Sequence, residues 1–162
     1  MIGILSDSHD NMNAIKAAVE LSNKKKVKTV LHAGDIISPF TATAFSKLDA
    51  DMYFVFGNND GDRLLLKQKF DKIGAECCGD FGDLEIDGKR IALIHGTYEP
   101  PVIAMAESGD FDIVVRGHTH HAGVTKINET LLINPGEAAG VLTGKRTVAL
   151  LDPELGVEIV EI

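Results

Sequence analysis

The sequence predicts an α/β fold of four layers, α-β-β-α, with two mixed β-sheets face to face and helices on the outside. Three observations lead there. Short apolar runs alternate with helical patterns through the first half, the signature of β-α-β units and a parallel sheet with right-handed crossovers. The second half is rich in hairpin signals, which suggests that it forms a second sheet. A chain of 162 residues, 44% hydrophobic and 25% charged, supports one core and one domain over 1–162 without staples.

Residues 2–6 are the first strand. A helix over about 11–25 follows, because Ile15, Ala18, Val19 and Ser22 share one face at helical spacing. Residues 29–32 are the second strand. Ser38-Pro39 reads as a cap and first turn of a helix presenting Phe40, Ala44 and Leu48. Residues 52–56 are the third strand, and a helix over about 63–73 stops at Gly74. Asp87-Gly88 between the alternating runs 84–86 and 90–94 marks a tight hairpin. A helix over about 101–108 ends at Gly109, and 112–115 is a strand, apolar after Asp112. Strands 124–127 and 130–133 pair across Asn128-Glu129, and 147–151 pairs with 157–160 across 152–156. No internal repeat or linker interrupts this order.

Twenty-four acids against sixteen Lys and Arg leave a net charge of −8. That balance disfavours general affinity for nucleic acid or an anionic membrane, and an anionic substrate needs a local positive counterweight. The first ten residues hold an apolar run of only four with no basic flank and are no signal peptide. Nowhere do 18 apolar residues follow one another, so no membrane span is expected. Cys77 and Cys78 are adjacent, which suits neither a disulfide framework nor a C-x-x-C motif. They read as two small side chains on opposite faces of a strand, in a reduced, cytoplasmic setting.

Polar residues with ligand chemistry fall at strand ends. Asp7 and His9 follow the first strand, Asp35 the second, Asn58 the third, His95 the strand 90–94, and His118 and His120 the strand 112–115. In open α/β sheets the carboxyl ends of strands converge on one crevice, which brings these seven together. Glycines 34, 57, 96 and 117 accompany them and permit sharp exits and close backbone approach. Two carboxylates, one amide and four imidazoles suit borderline divalent ions. Mn, Fe, Co, Ni and Zn are all of this class, and donor type alone does not choose among them. Seven donors exceed the needs of one tetrahedral ion. They fit two ions roughly 3.5–4 Å apart that share a carboxylate and activate a bridging water for in-line displacement. Such a pair also supplies the missing positive counterweight.

In order along the chain, Asp7-Ser8-His9, Gly34-Asp35, Gly57-Asn58-Asn59-Asp60, His95-Gly96 and Gly117-His118-Thr119-His120 resemble the five blocks of the calcineurin-like metallophosphoesterases. With Asn134-Pro135-Gly136-Glu137 after the last block, the chain is most similar to the small one-domain phosphodiesterases of archaea and bacteria. The resemblance implies a helix-flanked β-sandwich and two divalent ions: Asp7, His9 and His120 on the first, Asn58, His95 and His118 on the second, and Asp35 bridging. It implies a metal-dependent phosphoesterase that cleaves a small phosphoester, diesters over monoesters, with Asp35, Asn58, Asn59 and His95 as its catalytic residues. Two alternatives stand beside it. One is a phosphomonoesterase or nucleotide hydrolase with the same site; the other is a protein-binding scaffold resembling a retromer subunit.

One position departs from the family. Asn59 stands where the third block commonly has a His that protonates the leaving group, and an amide has no usable proton near pH 7. Tyr98 and His121 are the candidate stand-ins, though the sequence forces neither position. Elsewhere, His32 reads as a core histidine, and Arg116 as either a phosphate contact or an internal ion pair. Residues 140–145 faintly suggest a phosphate loop but fail its spacing. Lys24, Lys25 and Lys26 suit a solvated helix C-terminus. Exposed strand edges often pair such domains as symmetric dimers, which makes a homodimer an expectation.

Overall fold

A computed structural model describes residues 1–152 and 156–162. Its first sheet holds, from edge to edge, β11 (Gly156–Glu161), β10 (Thr147–Asp152), β1 (Ile2–Leu5), β2 (Thr29–His32), β3 (Asp51–Phe54) and β4 (Glu76–Cys77). β1 to β4 are parallel, and β10 is antiparallel to β1 with Ile2 opposite Leu151. The second sheet runs β5 (Phe81–Ile86), β6 (Lys89–Ile94), β7 (Ile113–Val115), β9 (Thr130–Asn134), β8 (Gly123–Ile127). Its β6, β7 and β9 are parallel and a hairpin closes each side.

Three apolar layers hold the four structural ones together. Helix α1 (Met12–Lys24), a 3₁₀ turn (Pro39–Thr41) leading into α2 (Ala42–Phe45), and α3 (Arg63–Asp71) pack Ile15, Val19, Phe45 and Phe70 against Leu5, Val30 and Phe54. Between the sheets, Ile4, Leu31 and Val55 meet Ile91, Val115 and Ile133. On the far side Ala92 and Val114 meet Val102 and Ala106 of α4 (Glu99–Ser108). Strand alternation explains the partition: in β10, Val148 and Leu150 face the helices and Ala149 the second sheet. Cys77 and Cys78 likewise pack into different layers. No helix among the described residues is long and apolar enough to cross a membrane.

Local signals act as expected in most places. The Asn11 side chain caps α1 by accepting from Ala14 N–H at 3.1 Å, and Gly109 ends α4 in the left-handed region at φ 77. Asp87 and Gly88 both take positive φ, which the two-residue hairpin requires.

Three expectations need correction. The last hairpin does not join the second sheet; it returns to pair with β1, where both its faces find cover. The helix at Ser38-Pro39 is a 3₁₀ turn and a four-residue α2, with Phe40 55% exposed. Ser38 does not cap it, because its hydroxyl donates instead to Asp10 at 2.6 Å. The strand read around Cys77 and Cys78 is the two-residue edge strand β4, Glu76–Cys77. The turn expected across 152–156 falls partly on 153–155, outside the described residues.

Candidate metal centre

The exits of β1, β2, β3, β6 and β7 meet at one end of the sandwich. Asp7, His9, Asp35, His118 and His120 all have positive φ, between 39 and 67. They are five of the ten such non-glycine residues described. Asp and His tolerate this region better than most side chains, and each such turn stores strain that the surroundings must hold. Two glycines make room. A Cβ at Gly57 would fall on the Asp35 carboxylate, 2.8 Å from its Cγ, and one at Gly117 would lie 2.7 Å from Asp7 Oδ2 and overlap the Ser6 hydroxyl.

Donor atoms of Asp7, His9 and His120 lie within 4.8 Å of one another, as do those of Asp7, Asp35 and His95. His120 Nε2 is 3.2 Å and His9 Nε2 3.7 Å from Asp7 Oδ1. Asp35 Oδ2 is 3.6 Å from His9 Nε2 and 3.5 Å from His95 Nε2. Asn58 Oδ1 lies 3.0 Å from His95 Nε2. The His118 ring stands 5.2 Å from the His95 ring at the rim, outside both tight groups, while its backbone N–H donates to Asp7 Oδ2. All seven sequence candidates therefore surround one space.

Proton bookkeeping shows that this space calls for a cation. His95 Nδ1–H donates to the Ala33 carbonyl at 2.7 Å, so in the neutral ring Nε2 is a bare lone pair, yet it faces oxygens of Asn58 and Asp35. His120 repeats the pattern: Nδ1–H donates to Glu137 and Nε2 faces Asp7. Buried Asp7 Oδ1 and His9 Nε2 have no hydrogen-bond partner among the described residues. Lone pairs aimed at oxygens are repulsive unless a positive charge sits between them, and the O/N donors fit a divalent ion. Without one, His9 and His95 shift toward protonation. The Asp7 carboxylate pushes His9 up against the effect of burial, and in His95 burial lowers the pKa but Asp35 and Asp7 outweigh it. Burial raises the Asp35 carboxyl, but His95 and two Asn59 N–H groups hold it well below the usual range.

Asn59 turns onto Asp35. Its Nδ2 donates to Oδ2 at 2.7 Å and its backbone N–H to Oδ1 at 2.8 Å. Neither stand-in joins the ligand groups: His121 Nδ1–H donates to the Thr119 carbonyl on an exposed loop, and Tyr98 lines a neighbouring cleft. Arg116 is an internal ion pair. Buried, it pairs with Glu99 and donates to the Gly96 and Gly117 carbonyls, bracing the His95 and His118 turns. His32 is fully buried and held at about 4 by burial; it accepts from Gly34 N–H and donates to Ser8 Oγ.

Sequence reasoning named Asp60, Asn134 and Glu137 only as motif residues and missed that they hold the turns of the candidate ligands. Asp60 accepts from the backbone N–H groups of Asp35, Ile37 and Gly57, tying the β2 exit to the β3 exit. Asn134 bridges to Gly117 and Thr119. Fully buried Glu137 takes His120 Nδ1–H and the backbone N–H groups of Val141, Leu142 and Thr143. Burial pushes its carboxyl up, but Thr143, His120 and Leu142 outweigh that and bring it down to about 2. The loop that faintly suggested a phosphate site is thus an anion cradle whose anion is internal. The available signal was the glycine beside a polar residue after a sixth strand exit.

The sequence profile of the calcineurin-like phosphoesterase superfamily domain matches residues 1–156. A phosphodiesterase of Methanocaldococcus jannaschii is 40% identical over 154 residues, 94% of this chain and 93% of that protein. A probable metallophosphoesterase of Methanothermobacter thermautotrophicus is 30% identical over 84% of this chain and 76% of its own length. Among solved structures, one described as a novel archaeal phosphodiesterase superposes with a TM-score of 0.95 at 36% identity, covering 99% of both chains. Vacuolar protein sorting 29 of Cryptosporidium parvum, at 20% identity and a TM-score of 0.66 over 99% of this chain and 96% of its own, shares the fold.

Proposed function

The chain belongs to the calcineurin-like phosphoesterase superfamily, and on that premise we propose that it is a phosphodiesterase dependent on two divalent metal ions. The observation that carries this reading is the set of imidazole lone pairs and carboxylate oxygens converging without protons between them. Asp7, His9 and His120 would hold one ion, Asn58, His95 and His118 the other, and Asp35 both. Ions held there supply Lewis acidity and lower the pKa of water.

The chain's own residues do the rest. Ala33 and Glu137 fix the tautomers of His95 and His120, so that each Nε2 turns inward. Asn59 steadies Asp35 and offers no acidic proton, which suits diesters with good leaving groups. Manganese is the proposed ion, with Ni, Fe, Co, Zn or Mg as alternatives. The net charge of −8 argues for a small phosphoester over nucleic acid at large. Two free cysteines suit the cytoplasm, and exposed sheet edges suit a homodimer.

The test strips the protein with chelator and restores Mn, Ni, Mg or Zn while a chromogenic diester and its monoester are assayed side by side. Metal-restored diester cleavage well above monoester cleavage is expected. Hydrolysis by none of the ions, with metal bound, would move the chain to the scaffold reading.

A further inference from the structure

Two clefts of opposite character flank the metal centre. The one beside His120, about 520 Å³, is lined by Thr119, His121, Thr143 and Lys145, and Lys145 has no ion pair among the described residues. The other, about 350 Å³, shares Asn58 and His95 with the centre and is lined by Phe56, Arg63, Ile94 and Tyr98.

This second cleft offers planes and no free charge. The Arg63 guanidinium lies over the Phe56 ring, 5.0 Å from its centroid. Three of its five N–H groups are engaged: one on Nη1 by Asp80 at 2.7 Å, one on Nη2 by the Gly57 carbonyl at 3.1 Å and Nε–H by the Asp60 carbonyl at 3.2 Å. Asp80 meets its charge, so the guanidinium presents a flat face and little attraction for an anion. Tyr98 is 76% exposed, and its ring and hydroxyl have no partner among the described residues. An exposed aromatic ring on a cleft that also carries a stacked cation–ring pair suits a flat apolar guest, because rings and guanidinium planes stack on any π-face.

We propose that the Phe56, Arg63 and Tyr98 cleft is a subsite for one ester arm of the diester and selects a planar aromatic arm over an aliphatic one. The inference rests on the phosphodiesterase reading and names the substrate class for that same site. Tyr98 is its specificity-determining residue, through its ring.

The test uses manganese-loaded protein and two diesters of equal charge and similar bulk, diphenyl phosphate and dicyclohexyl phosphate, with binding followed by calorimetry. Diphenyl phosphate should bind about tenfold more tightly, and Tyr98→Ala should bring the two within about twofold while Tyr98→Phe keeps the difference. Because Tyr98 is exposed, neither variant threatens the fold. Equal affinities in the wild type, including no measurable binding of either diester, overturn the inference, as does a preference that survives Tyr98→Ala. Hydrolysis of bis(p-nitrophenyl) phosphate is scored on the same preparation. Its absence defeats the phosphodiesterase reading, whereas intact hydrolysis with equal binding defeats only the aromatic subsite.

Discussion

Glu137 Oε2 lies 2.8 Å from His120 Nδ1, and the same carboxylate gathers the backbone N–H groups of Val141 and Leu142, each at 2.9 Å. One buried anion thus orients the His120 ring and shapes the loop beside it. Glu137→Ala should weaken metal binding by about 10–100-fold. It should also destabilise the fold by about 1–3 kcal/mol, since buried N–H groups lose their acceptor. Metal titration by calorimetry and thermal melts check the two effects separately. Unchanged affinity in a folded Glu137→Ala protein would show that His120 needs no such anchor.

Gly57 and Asp35 set a second test. A Cβ at Gly57 would collide with the Asp35 backbone N and carboxylate, neither of which is a flexible side-chain end. Gly57→Ala should therefore displace Asp35 and lower metal content, read by elemental analysis. Gly61→Ala is the control, because nothing among the described residues lies within 4 Å of the added methyl. Equal metal content in the two variants would refute the close-approach role of Gly57.

Why the candidate ligands are legible in the sequence and their supports are not follows from range. Asp35 and Asn58 each stand beside a glycine just after an apolar run, so their placement at a strand exit follows from local pattern. Glu137 is read only through partners, an imidazole 17 residues away and backbone N–H groups that carry no side-chain signal. Arg116 reads in the sequence as either a phosphate contact or an internal ion pair, and only the fold shows its donors, like those of Arg63, engaged by carbonyls of the turns around the site. The return of β10 to β1 has the same cause. Alternation marks residues 147–151 as a strand, but which sheet edge they join depends on Val148, Ala149 and Leu150 finding cover on both faces.

Cys78 gives a pH-dependent prediction away from the metal centre. Burial, with Glu76 adding to it, pushes its thiol up to about 11, and burial raises Cys77 as well. Only the thiolate reacts, so alkylation must accelerate as pH rises toward 11 rather than level off above 8.5. At pH 8, iodoacetamide should modify Cys78 about two orders of magnitude more slowly than an unperturbed cysteine peptide. Mass spectrometry of timed digests measures this, and labelling at the peptide's rate would contradict the buried setting.

Asn59→His addresses the missing acid. Asn59 now donates to Asp35 and has no proton to give a leaving alkoxide. A His at this position should raise kcat for diesters with alkyl leaving groups by at least roughly tenfold and leave p-nitrophenolate departure nearly unchanged, since that anion leaves without help. Equal change for both leaving groups would mean that the position does not face the departing oxygen. Metal content, measured in parallel, controls for the lost hydrogen bond to Asp35.

Asp35 stands between His9 and His95, 3.6 and 3.5 Å from their Nε2 atoms, and it is buried, so its charge acts with little solvent screening. Asp35→Asn keeps the shape and removes that charge. The lone pairs of His9 and His95 then lose the anion that makes a cation between them favourable, and both ions should bind weakly. A ligand that binds only the folded state raises its stability by about 2.7 kcal/mol at a hundred times Kd. Manganese should therefore raise the Tm of the wild type by several degrees and that of Asp35→Asn little, with turnover falling by about three orders of magnitude. A variant that keeps both the thermal shift and the turnover would remove Asp35 from the bridging position and leave the two ligand groups to be explained as separate sites.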